Sequence, residues 1–201
     1  MTKIAVDAVL LPSETMMDKA IEVNRELPEE SGNKIVLNKE NCLPHISLAM
    51  GCIDEKDICE IEKILQTIAK QYQLPRLKIV AIQVGTNSVG EKVSVFQIEN
   101  TETLQSLHEE VMRSLTPYFK YDVTVDMLLS PPKAETSTLL WIRNYRQNAS
   151  FENFFPHITI GYGQTAGLFS PIKFSASKLA LYHLGNNCTC RKILISTELK
   201  E

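Results

Sequence analysis

The apolar and polar positions divide the chain into short strands and amphipathic helices. Residues 4–11 (IAVDAVLL) form an apolar run interrupted only by Asp7, and Pro12 ends the strand it predicts. Ser13 then opens a helix over 13–27, with Glu14 in the first turn, where the helix dipole favours an acid. The stretch 28–34 (PEESGNK) reads as a loop, and 41–52 (NCLPHISLAMGC) as a short strand led in by Pro44. Residues 54–73 carry Ile58, Ile61, Ile64, Leu65 and Ile68 at spacings of three and four, an amphipathic helix with Asp54 as its N-cap. Two strands, 77–84 and 92–99, flank the glycine-bearing loop 85–91 as a hairpin, and a second helix spans 101–115. Residues 122–129 fit strand or helix, 130–138 (SPPKAETST) a loop and 138–147 a helix. A second proline-led strand follows in 152–163 (ENFFPHITIGYG), and the strands 178–185 and 190–199 close the pattern.

The pattern repeats itself. Ser-Glu-Thr at residue 13 and Thr-Glu-Thr at residue 101 each open a helix after a strand, 88 residues apart, and at that offset Glu22 meets Glu110 and Val23 meets Val111. Each helix is followed by a Pro-His-Ile-[Ser/Thr] motif, and these motifs lie 112 residues apart, from His45 to His157. The second copy therefore holds about 24 more residues between helix and motif, which places an insertion in 121–150. The expectation is one domain over residues 1–201, made of two related lobes with sequence halves near 1–88 and 89–201.

The motifs carry the chemistry. In Pro44-His45-Ile46-Ser47-Leu48 and Pro156-His157-Ile158-Thr159-Ile160, strand alternation puts His45 beside Ser47 and His157 beside Thr159 on one face. The apolar residues of each motif anchor the other face. Two such strands about a pseudo-two-fold axis would bring two imidazoles to one pocket, each with a hydroxyl beside it. Phosphodiester cleavage without a metal needs a neutral imidazole to take a proton and a protonated one to give a proton to the leaving oxygen. Hydroxyls next to them can donate to the non-bridging phosphate oxygens. One His-x-Ser on a strand would mean little; two copies at matching places in a repeat carry more weight.

These paired H-x-[S/T]-x motifs resemble the 2H phosphoesterase superfamily, which includes 2′-5′ RNA ligase-like proteins of bacteria and archaea and cyclic phosphodiesterases of plants. The resemblance rests on the two motifs and spans nearly the whole chain. It implies an α+β fold of two lobes, with an antiparallel sheet in each, a central cleft and helices outside. It implies a 2′,3′-cyclic phosphate, a 2′-5′ linkage or a related nucleotide as substrate, with no metal and no cofactor. Carried over by position, His45 and His157 are the acid–base pair, and Ser47 and Thr159 hold the phosphate. Ser at one of the two positions is a modest departure, and 121–150 fits a subgroup insertion.

Composition narrows the alternatives. The chain has 201 residues, 44% apolar and 22% charged, with a net charge of −3, as an ordinary globular protein does. No basic face is evident, so the expected partner is a nucleotide or a short RNA end rather than a long duplex. No stretch approaches the roughly 20 apolar residues that cross a bilayer. Asp7 interrupts the N-terminal run, which argues against a signal peptide and sets the expectation of a cytoplasmic monomer without membrane partners. The cysteines, at 42, 52, 59, 188 and 190, are odd in number and irregular in spacing, as free thiols are. Neither a phosphate-binding glycine loop nor H-E-x-x-H is present.

Other residues read as structural. His108 is expected on a solvated helix face, Trp141 as an anchor from helix to core, and Arg191 and Lys192 as strand-end charges. Only one of Tyr182 and His183 can face inward. A base-stacking aromatic is expected among Tyr162, Tyr182, Phe96 and Phe155. Two further readings stay open: a non-catalytic nucleotide- or RNA-binding module with the same cleft, and a transition-metal site using His45 and His157.

Overall fold

The computed structural model describes residues 2–27, 34–87, 89–129, 134–165 and 170–200. Eight strands and four helices follow the order β1 (Lys3–Pro12), α1 (Glu14–Arg25), β2 (Ile46–Asp54), α2 (Ile58–Gln71), β3 (Leu77–Thr86), β4 (Lys92–Ile98), α3 (Glu102–Leu115), α4 (Thr136–Asn148), β5 (His157–Tyr162), β6 (Ile172–Phe174), β7 (Ala176–Leu184) and β8 (Cys190–Glu198). They form two four-stranded antiparallel sheets, ordered β2-β1-β7-β8 and β5-β4-β3-β6. This is the expected α+β, two-sheet architecture. Each sheet draws strands from both halves of the sequence, because β3 joins β4 and the last two strands return to β1.

Most predicted elements stand where the apolar pattern put them. Thr101 caps α3, its hydroxyl accepting from the Leu104 N–H. Asp54 does not cap the second helix. A 3₁₀ turn at Glu55–Asp57 comes first, and α2 starts at Ile58. The ambiguous 122–129 becomes a single 3₁₀ turn, Val125–Met127, and 121–150 contributes α4, which packs on β2. Of the two expected loops, residues 28–33 and 130–133 lie outside the described residues, and α4 begins at Thr136, inside the second.

The two motif strands occupy matching places. β2 and β5 are both edge strands, one in each sheet, and they adjoin. Each is paired antiparallel with the strand that opens its repeat, β1 or β4. In both, the register slips at the residue after the motif hydroxyl. Val9 faces Ser47 while Ala8 faces Ala49, so Leu48 is an extra residue; Val95 faces Thr159 while Ser94 faces Gly161, so Ile160 is extra. One-residue bulges of this kind bend a strand and re-aim its side chains, and they leave the extra residue outside the ladder.

The bulged carbonyls are both captured, and each by a helix from the other repeat. α3 packs on β2 and α1 on β5. His108 on α3 donates its Nδ1–H to the Leu48 carbonyl at 2.7 Å. Asn24 on α1 donates to the Ile160 carbonyl at 2.8 Å and to the Ile35 carbonyl at 2.9 Å, and its Oδ1 accepts from the Leu37 N–H at 2.9 Å. Both residues are buried, so these bonds satisfy groups that water cannot reach. The close approach of α1 requires Gly161 beside the bulge: a Cβ there would lie 2.7 Å from Leu27 and 2.8 Å from the Asn24 amide.

His108 therefore corrects the sequence expectation. It is fully buried, its ring stacks on Phe154 with centroids 3.9 Å apart, and its Nε2 accepts from the Phe151 N–H at 2.7 Å. Phe151 has φ of 56°, a left-handed conformation that is strained for a bulky side chain, and this hydrogen bond helps to hold it. One ring thus ties β2 to the segment that leads into β5. Trp141 is the second correction. It is 44% exposed, while Ile142 and Tyr145 form the buried face of α4.

Two outcomes follow for stability. Burial holds the His108 imidazole down to about 4, against the pull of the Leu48 carbonyl. The unfolded ring, with its ordinary value near 6.5, binds a proton at higher pH than the folded one. Stability from this group is thus complete above about pH 6.5 and is lost as pH falls toward 4, by on the order of 3 kcal/mol. Urea denaturation of the wild type across that range should show the decline, and His108→Gln should flatten part of it. Asn24→Ala, which orphans three buried backbone groups, should cost about 3 kcal/mol in the same assay at pH 7.

Candidate active site

The two motifs build their imidazoles alike. Along both strands burial alternates: Pro44, Ile46 and Leu48 are buried and His45 and Ser47 half-buried, as are Pro156, Ile158 and Ile160 against His157 and Thr159. The predicted faces are therefore the observed ones. Leu43 and Phe155 each precede a proline, which biases them to extended backbone. His45 Nδ1–H donates to the Leu43 carbonyl at 2.7 Å, and His157 Nδ1–H donates to the Phe155 carbonyl at 2.7 Å. A carbonyl can only accept, so both rings are fixed as the Nδ1–H tautomer, with the Nε2 lone pair left for chemistry.

Electrostatics set both rings to neutral. Burial pushes His45 down to about 4; the Leu43 carbonyl opposes this and the neighbouring His157 adds to it. That coupling places the second ring within electrostatic range of the first. His157 is lowered by burial as well, against the Phe155 carbonyl. A proton on either ring is costly unless an anion sits beside it.

The hydroxyls differ. Thr159 Oγ1 has no hydrogen-bond partner among the described residues, whereas Ser47 Oγ lies 2.6 Å from Asp7 Oδ2. Asp7 belongs to β1 and is completely buried, with Oδ1 unpartnered among the described residues. Its Oδ2 is 3.8 Å from His45 Nε2, too long for a hydrogen bond. Burial raises its carboxyl well above the usual range, and the Ser47 contact only partly offsets this. The matching position in the second repeat is Val93: Asp7 faces Met50, three residues past Ser47, and Val93 faces Tyr162, three past Thr159. Sequence reading missed Asp7, although an acid inside an apolar strand was the available signal.

Asp7, His45 and Cys190 also bring three donor atoms within 4.8 Å of one another, a set that a transition ion could use. It does not include His157, the partner expected for His45 in the metal-site reading.

The other candidates separate clearly. Phe155 is 40% exposed and its ring centroid lies 5.5 Å from that of His157. Phe96 and Tyr182 are buried. Tyr162 donates to Asn187 Oδ1 at 2.9 Å, beneath Lys34 Nζ, 5.2 Å from its ring centroid. His183 is half-buried and its Nε2 lies 3.0 Å from the Met127 carbonyl, which makes it a tether for the 3₁₀ turn. Arg191 Nε donates to Thr189 Oγ1 at 2.8 Å, and Lys192 is exposed. A separate open groove of about 1010 Å³ between α1 and β6 shares no residue with the histidine site. Among the described residues no helix is long and apolar enough to cross a membrane.

Among known proteins, no family model and no curated sequence matches the chain. Solved structures do. LigT of E. coli bound to 3′-AMP superposes with a TM-score of 0.56 at 13% identity, over the full length of both chains. TT0787 of Thermus thermophilus gives 0.56 at 14% identity over 98% of each chain. A protein described as a phosphoesterase gives 0.52 at 13% identity over both full chains. LigT has also been seen with phosphate, NADP+ and ATP. At this low identity the chain shares its fold with LigT, with TT0787 and with the protein described as a phosphoesterase.

Proposed function

We propose that the chain is a metal-independent 2H phosphoesterase. It hydrolyses a 2′,3′-cyclic phosphate or a 2′-5′ phosphodiester of a nucleotide or RNA end, with His45 and His157 as the acid–base pair. One observation carries this reading: two imidazoles at the starts of adjoining edge strands, each locked at Nδ1 by the carbonyl two residues earlier, each with Nε2 without a hydrogen bond among the described residues and a hydroxyl at the next position on its face. Binding alone does not require this duplicated geometry, which disfavours the non-catalytic alternative. The 3′-AMP complex of LigT adds support for a nucleotide-sized substrate.

In this mechanism one neutral imidazole takes a proton from water through Nε2 as the water attacks phosphorus. The other, protonated, gives its proton to the leaving ribose oxygen. Ser47 and Thr159 donate to the non-bridging oxygens. Phe155, exposed beside His157, offers a face on which a base can stack. The substrate's own charge supplies what the two rings need, since a phosphate anion favours the imidazolium that burial disfavours.

Assays with a panel of 2′,3′-cyclic nucleotides and 2′-5′ oligonucleotides test the proposal. His45→Ala and His157→Ala should each lower turnover by about 100-fold or more with folding retained, and the wild type should keep its rate in chelator. Full activity in either variant would sink the acid–base pair. Loss of activity to chelator would instead favour Asp7, His45 and Cys190 as a metal centre. The pH profile gives a further check. Both free-enzyme imidazoles lie below 6.5, so the form with one proton on the pair declines as pH rises above that range. kcat/KM should peak on the acid side of about 6.5, and the kcat optimum should lie higher, because bound anion retains the proton.

A further inference from the structure

Ser47 presents a conflict that Thr159 does not. A hydroxyl has one hydrogen. If Asp7 is a carboxylate, Ser47 Oγ at 2.6 Å must spend that hydrogen on Asp7 Oδ2, and it then turns lone pairs, not a donor, toward an anionic phosphate. If Asp7 is a carboxylic acid, the acid donates to Ser47 Oγ and the serine hydrogen is released.

The surroundings favour the acid. Asp7 has no exposed surface, one of its oxygens lacks a partner among the described residues, and the groups within its electrostatic reach are His45 and Ser47 of the first motif, Cys190 from β8, Cys188 before it and Tyr145 from α4. None of these is a permanent cation. His45, the one base close by, is itself held neutral by burial. An ionised carboxylate there would be a buried charge with a single hydrogen bond, which is costly, and a proton removes that cost.

We propose that Asp7, as a neutral carboxylic acid, is a positioning residue: it donates to Ser47 Oγ and so directs the Ser47 hydroxyl hydrogen at the phosphate. This rests on the reading of Ser47 as a phosphate holder. The second repeat has no such device: among the described residues Thr159 Oγ1 has no hydrogen-bond partner, and Val93 stands where Asp7 would be. The proposal gives the two halves of the site different roles despite their common backbone: one fixed donor and one adjustable donor.

The test compares Asp7→Asn, Asp7→Ala, Ser47→Ala and the double Asp7→Ala/Ser47→Ala, each checked for folding by thermal denaturation. Two readouts are used: steady-state kinetics on the cyclic nucleotide panel, and calorimetric binding of inorganic phosphate, which needs no turnover. An asparagine amide donates to Ser47 Oγ as the acid does. Asp7→Asn should therefore keep phosphate affinity and kcat/KM within about threefold of wild type. Asp7→Ala and Ser47→Ala should each lose about tenfold, of the order expected for one hydrogen bond to a charged group, and the double variant should lose no more than either, since the two residues act as a unit. The isotope-edited infrared spectrum should show a protonated carboxyl at neutral pH that disappears in Asp7→Asn.

Several outcomes overturn the proposal: Asp7→Asn falling as far as Asp7→Ala, single losses that multiply in the double variant, or no protonated carboxyl. Phosphate binding that follows the expected order without turnover of any substrate keeps the positioning role and removes the catalytic reading. A wild type that neither binds phosphate nor turns over removes both. If Asp7→Ala does not fold, Asp7→Asn with the infrared measurement still decides.

Discussion

The site depends on two backbone carbonyls that lie outside the sheet ladders. At Leu48 and Ile160 a one-residue bulge frees a carbonyl on an edge strand, immediately after the motif hydroxyl. A buried carbonyl needs a donor, and both donors come from a helix of the opposite repeat, His108 on α3 and Asn24 on α1. The exchange is reciprocal. Neither repeat holds its own motif strand alone: the helix packed on each strand, and the donor it carries, come from the other half of the sequence. His108 extends the tie, because its second ring nitrogen holds Phe151 and its face stacks on Phe154, just ahead of the second motif. Glycine at 161 belongs to the same constraint, since α1 approaches there too closely for a side chain.

Edge strands also invite unwanted pairing with other chains, and two adjoining ones need protection. The captured carbonyls supply part of it. The Cys52 N–H and carbonyl, both bonded to Lys120 at 2.8 Å, supply more on β2. The strands thus remain at the rim, where their histidines reach the surface, while their outer hydrogen-bonding groups are partly occupied. Proline before each histidine adds local order: it biases the preceding residue to extended backbone, and that residue's carbonyl then fixes the imidazole tautomer.

Much of this was legible in the sequence because it is local. The Pro-His-Ile-[Ser/Thr] repeat specified faces, and the faces are those observed. Strand and helix periodicity placed most elements, though β6, at three residues, is too short to show a period. What escaped was long-range. His108 sits among charged neighbours, which suggested solvent, yet it continues the stripe Leu104, Leu107, Val111, Met112 and Leu115 that forms the buried face of α3; the stripe was the better guide. Trp141 was read by its size rather than its phase, and Ile142 and Tyr145 take the inner positions of α4. Asp7 was read as an interruption of an apolar run, whereas β1 is buried along nearly its whole length and therefore encloses its acid. A partner 40 residues away, Ser47, gives that acid its meaning.

The duplicated backbone and the unduplicated side chains answer different needs. Matching bulges, matching prolines and matching Nδ1 contacts make two equivalent Nε2 atoms, and the proposed cleavage uses one of them to take a proton and the other to give one. It also requires that they not behave identically in a given step. The chain breaks the equivalence in side chains that the pseudo-symmetry leaves free: Asp7 opposite Val93, Ser47 opposite Thr159, and the exposed Phe155 beside His157, where the first motif has Leu43. His45 therefore faces a buried, titratable floor, while His157 faces a solvent-side aromatic. On the proposed reading, two imidazoles with the same tautomer in unlike surroundings would be protonated to different degrees beside a bound phosphate, and that difference, rather than either ring alone, would assign one of them as base and the other as acid.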